Sequence, residues 1–306
     1  MAPNLTWFDD LERNLKTLAA KLTPENRSTV FKIINAARTE SGKQAQPEPS
    51  YPSLAVTSIK PKDVEKTFNL KWNKEKWVLR PQDRKPMTAR LRDTLEDFAL
   101  ATKGSSETEA AVRSRIDVIL YMTLADKKRK EHRAAGHRSS MEALTQYRSI
   151  EFQAETDIKL PWTYKGEKRL ISGRADYTLW YGEPDSPESN LMVVEAKTEG
   201  ADGLKQAITY MAMVHHARKK AGRADTIIWG IATNSWEWKF IRLNADSAID
   251  YASYDLRNSD GEQNVIGMLH LIFDHAAGLS PSLSRGPSLA RKRTLEEAAG
   301  LEVSPA

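Results

Sequence analysis

Apolar residues recur at a spacing of three and four near the start of the chain: Leu11, Leu15, Leu18 and Leu22, then Val30, Ile33, Ile34 and Ala37. That spacing lines one side of a helix, so a pair of amphipathic helices is predicted within 7–37. Pro24 suits the first turn of the second helix, with Thr23 ahead of it as cap. A polar stretch from Ser41 to Pro52, with Pro47, Pro49 and Pro52, reads as a linker. From Val56 to Pro86, lysines mix with Phe68, Leu70, Trp72, Trp77 and Leu79 without a clean period, which predicts a segment packing on a larger domain. Helical spacing returns over Met87 to Leu100 and then, more strongly, from about Glu107 to Lys130. Ser105-Ser106-Glu107-Thr108-Glu109 opens this longer helix with a capping signature, and Lys127-Lys128-Arg129-Lys130 closes it where the helix dipole favours cations.

From Ile150 the period falls toward two, the mark of strands. Strands are predicted over Glu151 to Leu160, Leu170 to Tyr181, Leu191 to Lys197, and Thr226 to Ala232 paired with Glu237 to Leu243. A helix over Leu204 to Lys220 falls between the third and fourth, and one over Asn264 to Ala277 closes the series. Beyond Gly278 the chain is rich in Ser, Pro and Arg and is expected to be a mostly disordered tail. The order predicts an α/β fold, a mixed central sheet flanked by helices, with an α-helical N-terminal extension. The expected boundaries are 1–40 for the extension, 41–104 for a linker and ancillary segment packing on the core, 105–278 for the main domain and 279–306 for the tail.

Composition narrows the function classes. With 306 residues, 40% hydrophobic and 28% charged, the chain has the make-up of a globular protein with a sizeable core. No apolar run reaches the roughly 18 residues of a membrane span, and Met1-Ala2-Pro3-Asn4 lacks the basic-then-apolar layout of a secretory signal. An intracellular protein, cytoplasmic or nuclear and without a membrane partner, is therefore expected. The absence of cysteine excludes disulfides and thiolate zinc sites, leaving carboxylates, carbonyls and imidazoles for any metal, a set that suits Mg²⁺ or Mn²⁺. A net charge of +5 favours a polyanionic partner such as nucleic acid.

The residues richest in chemistry lie in Leu191-Met192-Val193-Val194-Glu195-Ala196-Lys197, an apolar strand ending in a carboxylate and an amine two residues apart. Residues i and i+2 share a strand face, so Glu195 and Lys197 point the same way. Ile171-Ser172-Gly173-Arg174-Ala175-Asp176-Tyr177 forms the preceding strand, joined through the polar loop Gly182 to Asn190, a hairpin geometry that brings Asp176 beside Glu195. Phosphodiester hydrolysis needs a divalent cation to offset charge developing on phosphorus and to acidify the attacking water. Asp176, Glu195 and the carbonyl of Ala196 are the expected metal ligands. Lys197 is expected to orient or deprotonate the water and to stabilise the transition state.

These residues resemble the PD-(D/E)XK phosphodiesterase superfamily, the nucleases of restriction-endonuclease-like fold. The match covers Glu107 to Ala277, a little over half the chain, with Asp176 as the first carboxylate and Glu195-Ala196-Lys197 as the (D/E)XK element. Gly173-Arg174-Ala175-Asp176 stands in place of the literal Pro-Asp and keeps the acid. Gln206 and Tyr210 resemble the Q-x-x-x-Y element of several subfamilies, and Glu109 sits where many members carry a further metal-associated glutamate. The resemblance implies a restriction-endonuclease-like core and a metal-dependent nuclease acting on DNA more than RNA. Asp176, Glu195, Lys197 and Gln206 are then catalytic; Asp176, Glu195, Ala196 and Glu109 hold the metal; and Lys197, Gln206, Tyr210 and Arg174 contact substrate. The alternative is a catalytically silent module of the same fold that binds nucleic acid or a protein, with the N-terminal helices serving self-association or assembly. A toxin-like effector whose purpose is its nuclease activity is a third.

Each motif also has a plainer reading. Glu109 is equally a helix-dipole or capping carboxylate, with Glu107 its competitor, and Gln206 with Tyr210 is equally a packing pair on one helical face. Glu155 alternates with Gln153 and Asp157 and reads as solvated. His215 and His216 are consecutive on a helix, about 100° apart, and are expected to be structural rather than a chelating pair. Trp229, Trp236, Trp238 and Phe240 read first as cross-strand packing. Arg291-Lys292-Arg293 and the run from Lys127 to Arg133 read first as solubilising or dipole-complementing charge.

Overall fold

The computed structural model describes residues 51–102, 108–135, 150–181, 190–197 and 203–279. The chain divides into two units, Met1–Ser50 and Tyr51–Ala306, and all of these residues belong to the second. The helices expected in 7–37, most of the linker, Glu107, the loop over 182–189 and the tail with Arg291-Lys292-Arg293 lie outside the described residues.

The strands are β1 (Ser53–Ala55), β2 (Lys71–Trp72), β3 (Ile150–Tyr164), β4 (Glu167–Tyr181), β5 (Asn190–Ala196), β6 (Ile228–Thr233), β7 (Glu237–Leu243) and β8 (Ala248–Asp255). The α-helices are α1 (Pro61–Phe68), α2 (Ala89–Ala101), α3 (Glu109–Ala135), α4 (Leu204–Lys220) and α5 (Gly261–Leu279). One mixed eight-stranded sheet runs in the order β1-β4-β5-β6-β7-β8-β2, with β3 also paired to β4. β5 and β6 are parallel and joined through α4, while β4–β5, β6–β7 and β7–β8 are antiparallel. Met192 to Ala196 and every residue of β6 are buried, as central strands covered on both faces require.

Helices cover the two faces through separate clusters. Val112, Ile116 and Ile119 of α3 and Leu269 and Phe273 of α5 join Met192 and Val194 in one. Ala207, Met211 and Val214 of α4 and Val64 of α1 join Val193, Ile228 and Ile241 in the other. Gly230 permits the approach of α4 to β6, because a Cβ there would lie 2.2 Å from the sulfur of Met211. Among the described residues, no helix is long and apolar enough to cross a membrane.

Several expectations are revised. The segment expected merely to pack on the core contributes β1 and β2 to the sheet itself. The long helix continues past Lys130 to Ala135, and the closing helix spans Gly261–Leu279. β8 is absent from the sequence-based expectation: its buried residues include the small Ala248 and Ala252 beside Asp250, too weak an apolar signal to mark a strand. His215 is structural as expected, its Nδ1 lying 2.6 Å from the Thr226 carbonyl and its Nε2 3.3 Å from the Ser247 hydroxyl. Because a carbonyl only accepts, Nδ1 carries the proton. Trp238 is fully buried and stacks on Phe240, and Trp229 donates to His275 at 2.7 Å.

Candidate active site

A break in hydrogen bonding along β4 positions the site. β3 lies along one edge of β4, from Ile150 opposite Tyr181 to Tyr164 opposite Glu167. The other edge is shared: β1 pairs with Leu170 to Ser172, and β5 pairs with Tyr177 to Trp180. Residues 173–176 fall between these two ladders. There the Arg174 carbonyl accepts a hydrogen bond from the Tyr210 hydroxyl at 3.1 Å, and Asp176 Oδ2 accepts the Ala196 amide at 2.7 Å. Both bonds satisfy backbone groups at the gap, as buried peptide groups demand.

The same point marks a change in the β3–β4 ribbon. Ile158 and Leu160 of β3 and Ile171 and Ala175 of β4 pack in the α4-side cluster, whereas Ile150, Tyr177 and Leu179 pack in the other. The change falls at Glu155 and Asp176, and Glu155 takes φ 51°, unusual for a non-glycine strand residue. Periodicity alone gives no warning of this kink.

Asp176 and Glu195 lie across from one another as the hairpin predicts, one step beyond the last β4–β5 pair of Tyr177 with Val194, and the Ala196 amide reaches across to Asp176. Lys197 follows at the carboxyl end of β5, its amide donating to the Thr233 carbonyl at the end of β6. Its ammonium lies 3.3 Å from Glu195 Oε2 and 3.9 Å from Asp176 Oδ2. Gly203, which opens α4, closes over this end: a Cβ there would lie 3.1 Å from both Glu195 Cβ and Lys197 Cγ.

Glu195 is completely buried. Neither of its carboxyl oxygens accepts a hydrogen bond of good geometry, and the Lys197 contact is an ion pair by distance only. Burial, and secondarily the charge of Asp176, push its pKa up to about 8, against a smaller opposing pull from Lys197. A fully buried carboxylate with one ion-pair contact and no hydrogen bond is costly, and each such group in a native structure calls for a reason.

The remaining expected residues make contacts of their own. Gln206 Nε2 donates to the Tyr210 hydroxyl at 3.3 Å, so the two tie α4 to the β4 gap. Burial raises the Tyr210 phenol to about 12, so it stays protonated and donating. The Arg174 side chain bonds Asp157 at 2.9 Å and approaches Glu155 at 3.6 Å, so it stands with the carboxylates of β3. Ala196 meets Asp176 through its amide.

Two residues differ from expectation. Glu109 does not join Asp176 and Glu195 as a third ligand: its carboxylate is more than half exposed and accepts from Arg113 at 3.1 Å, with the guanidinium between it and Asp176. Among the described residues, no group of three or more His, Asp or Glu is placed to hold a metal. Arg113 is a site residue that the sequence reading lacks. Its Nη2 bonds Asp176 Oδ1 at 2.5 Å and its Nη1 lies 3.7 Å from Glu155, whose side chain is exposed as expected while flanking the site. The four-residue spacing of Glu109 and Arg113 is the one available signal, and it reads as an ordinary helix pair.

Beside this end of the sheet, Arg115 donates to Ser235 at 2.9 Å and lies 4.2 Å over the ring of Trp236. Trp236 follows β6 in the turn to β7, so it supports this rim as well as packing.

No family model and no curated protein matches the chain. The chemistry of the site therefore follows from its own geometry. Two carboxylates in a chain without cysteine, one of them buried with neither oxygen hydrogen-bonded, form a donor set that suits a hard divalent cation completed by carbonyls, water or phosphate oxygens.

Proposed function

We propose that this chain is a divalent-metal-dependent phosphodiesterase that hydrolyses nucleic acid, DNA in preference to RNA, through a restriction-endonuclease-like core. The observation that carries the reading is Glu195: a fully buried carboxyl with no hydrogen bond to either oxygen, beside Asp176 and paired with Lys197 at the carboxyl end of β5. In parallel α/β arrangements, ligands gather at the carboxyl ends of strands. Asp176 and Glu195 would hold Mg²⁺ or Mn²⁺. That ion would supply charge to a phosphate and acidify a water. Glu195 in its ionised form offers both oxygens, and Asp176 is oriented by the Ala196 amide. Lys197 is just over a quarter exposed and pairs with both acids, and its ammonium would donate to the attacking oxygen or to a phosphoryl oxygen as charge grows there. Gln206 acts through Tyr210, holding α4 against the gap in β4. The net charge of +5 suits the polyanion, and the preference for DNA rests on the superfamily resemblance.

The test is incubation of the full chain with plasmid, linear duplex, single-stranded DNA and RNA in Mg²⁺, Mn²⁺ or EDTA, beside Asp176→Ala and Lys197→Ala. Cleavage that needs metal and is reduced at least about a hundredfold in both variants is expected. Absence of cleavage together with absence of Mn²⁺ binding by calorimetry would replace this reading with that of a silent binding or assembly module.

A further inference from the structure

Arg113 holds Asp176 while keeping two other carboxylates within reach. Nη2 bonds Asp176 Oδ1 at 2.5 Å and Glu109 Oε1 at 3.1 Å, and Nη1 lies 3.7 Å from Glu155 Oε1. The three acids form a gradient of exposure: the Asp176 side chain is 9% exposed, against 55% for Glu109 and 59% for Glu155. The inner end of the gradient lies in the site and the outer end in water. Arg113 Nε is buried with no hydrogen-bond partner. A guanidinium serving as a permanent strut would have its buried donors satisfied, whereas this pose leaves one donor unmatched at a cost in free energy. Both Asp176 oxygens are occupied, Oδ1 by Arg113 and Oδ2 by the Ala196 amide. A divalent cation arriving at Asp176 therefore meets a fixed positive charge on the same carboxylate.

We propose that Arg113 is an internal counterion that competes with the divalent cation for Asp176 and releases Oδ1 when a nucleic-acid phosphate offers it a better acceptor, making metal and substrate binding cooperative. This rests on the reading of Asp176 and Glu195 as metal ligands. The guanidinium fork matches two phosphate oxygens as well as it matches a carboxylate. Its side chain is 35% exposed, so a phosphate can reach it without local unfolding. Glu109 and Glu155 keep the charge neutralised as it swings outward. The metal site is then weak in the free protein and strengthens with substrate, which limits occupation by a cation that has nothing to cut. Reciprocity follows from linkage: whatever substrate adds to metal affinity, metal adds to substrate affinity.

The test is Mn²⁺ binding, followed by calorimetry and by the electron paramagnetic resonance of free Mn²⁺, in the full wild-type chain, Arg113→Gln and Arg113→Lys. Removing a unit charge from beside the site is expected to tighten Mn²⁺ binding in Arg113→Gln by roughly tenfold. Arg113→Lys, which keeps the charge but loses the fork, is expected to tighten it less, and it serves if the Arg113→Gln variant does not fold by circular dichroism. In a Lys197→Ala background that prevents cleavage, a short oligothymidylate should tighten Mn²⁺ binding when Arg113 is present and leave it unchanged when the Arg113→Gln substitution is added. Mn²⁺ binding that is unchanged or weakened in both folded variants overturns the inference while leaving the metal reading intact. Failure of all forms to bind Mn²⁺ overturns the metal reading, and the inference with it.

Discussion

Glu195 shows how one residue sets both stability and readiness for chemistry. Its pKa is raised from 4.5 to about 8, chiefly by burial and then by the charge of Asp176. A carboxyl whose folded-state pKa lies above its unfolded one binds its proton more tightly when folded. The resulting stability is fully present below about 4.5 and is lost as pH rises toward 8. Over that window the loss is on the order of a few kcal/mol. Glu195→Gln cannot ionise, so its melting temperature should decline less across the same window than that of the wild type. Mn²⁺ favours the ionised form and should restore part of the wild-type loss. Parallel melting curves for the two proteins would show that burial of this carboxyl is not what sets the pH response. Arg113 illustrates the opposite case, a residue important for its placement and silent in the sequence, because only the fold brings its guanidinium to Asp176.

At the scale of elements, the contact between α4 and β4 holds the site together, and it depends on Gly173. A Cβ at that position would lie 2.3 Å from the Tyr210 hydroxyl, so Gly173→Ala must displace the phenol, which is itself buried. Tyr210→Phe keeps the ring and loses the bonds to the Arg174 carbonyl and from Gln206, at a cost of about 0.5–1.5 kcal/mol each. Urea unfolding should therefore show Gly173→Ala as the more damaging change, with cleavage lost as well, whereas Tyr210→Phe should keep most of its stability. The elements themselves are unevenly legible. β5 announces itself through an unbroken apolar run, and α4 begins and ends where its pattern says, at Leu204 and Lys220. β8 and the short strands β1 and β2 do not, since two or three residues, or small and acidic ones, carry no period. The pairing of Asp176 with Glu195 is legible because a hairpin and a period of two suffice to derive it. The kink at Glu155, which brings another carboxylate to Arg113, comes from tertiary packing and is not.

The whole molecule shows why the segment ahead of the motif residues belongs to the working unit. Val56, Ile59, Val64 and Leu70 are buried in the cluster that backs α4, and β1 and β2 each add a ladder to the sheet. At roughly 1.5–3 kcal/mol for each buried side chain, the four together contribute about as much as the 5–15 kcal/mol by which a whole domain is normally stable. A chain beginning after Trp72 should therefore lack a cooperative thermal transition by circular dichroism, although every motif residue remains in it. A sharp melt near the full-length temperature would show instead that the later elements form a self-sufficient core.

The gap between β1 and β5 also gives the two facing acids different mechanical characters. β5 is laddered on both sides, to β4 and β6, so Glu195 rides on a rigid support. β4 has no ladder on that edge over 173–176, where β3 pairs with 173–175 on the other edge and the Asp176 carboxylate is held by Arg113 and the Ala196 amide. The two acids are therefore held by different means, Glu195 by a strand laddered to both neighbours and Asp176 by bonds to its own side chain, so that whatever competes for those bonds acts on Asp176 first.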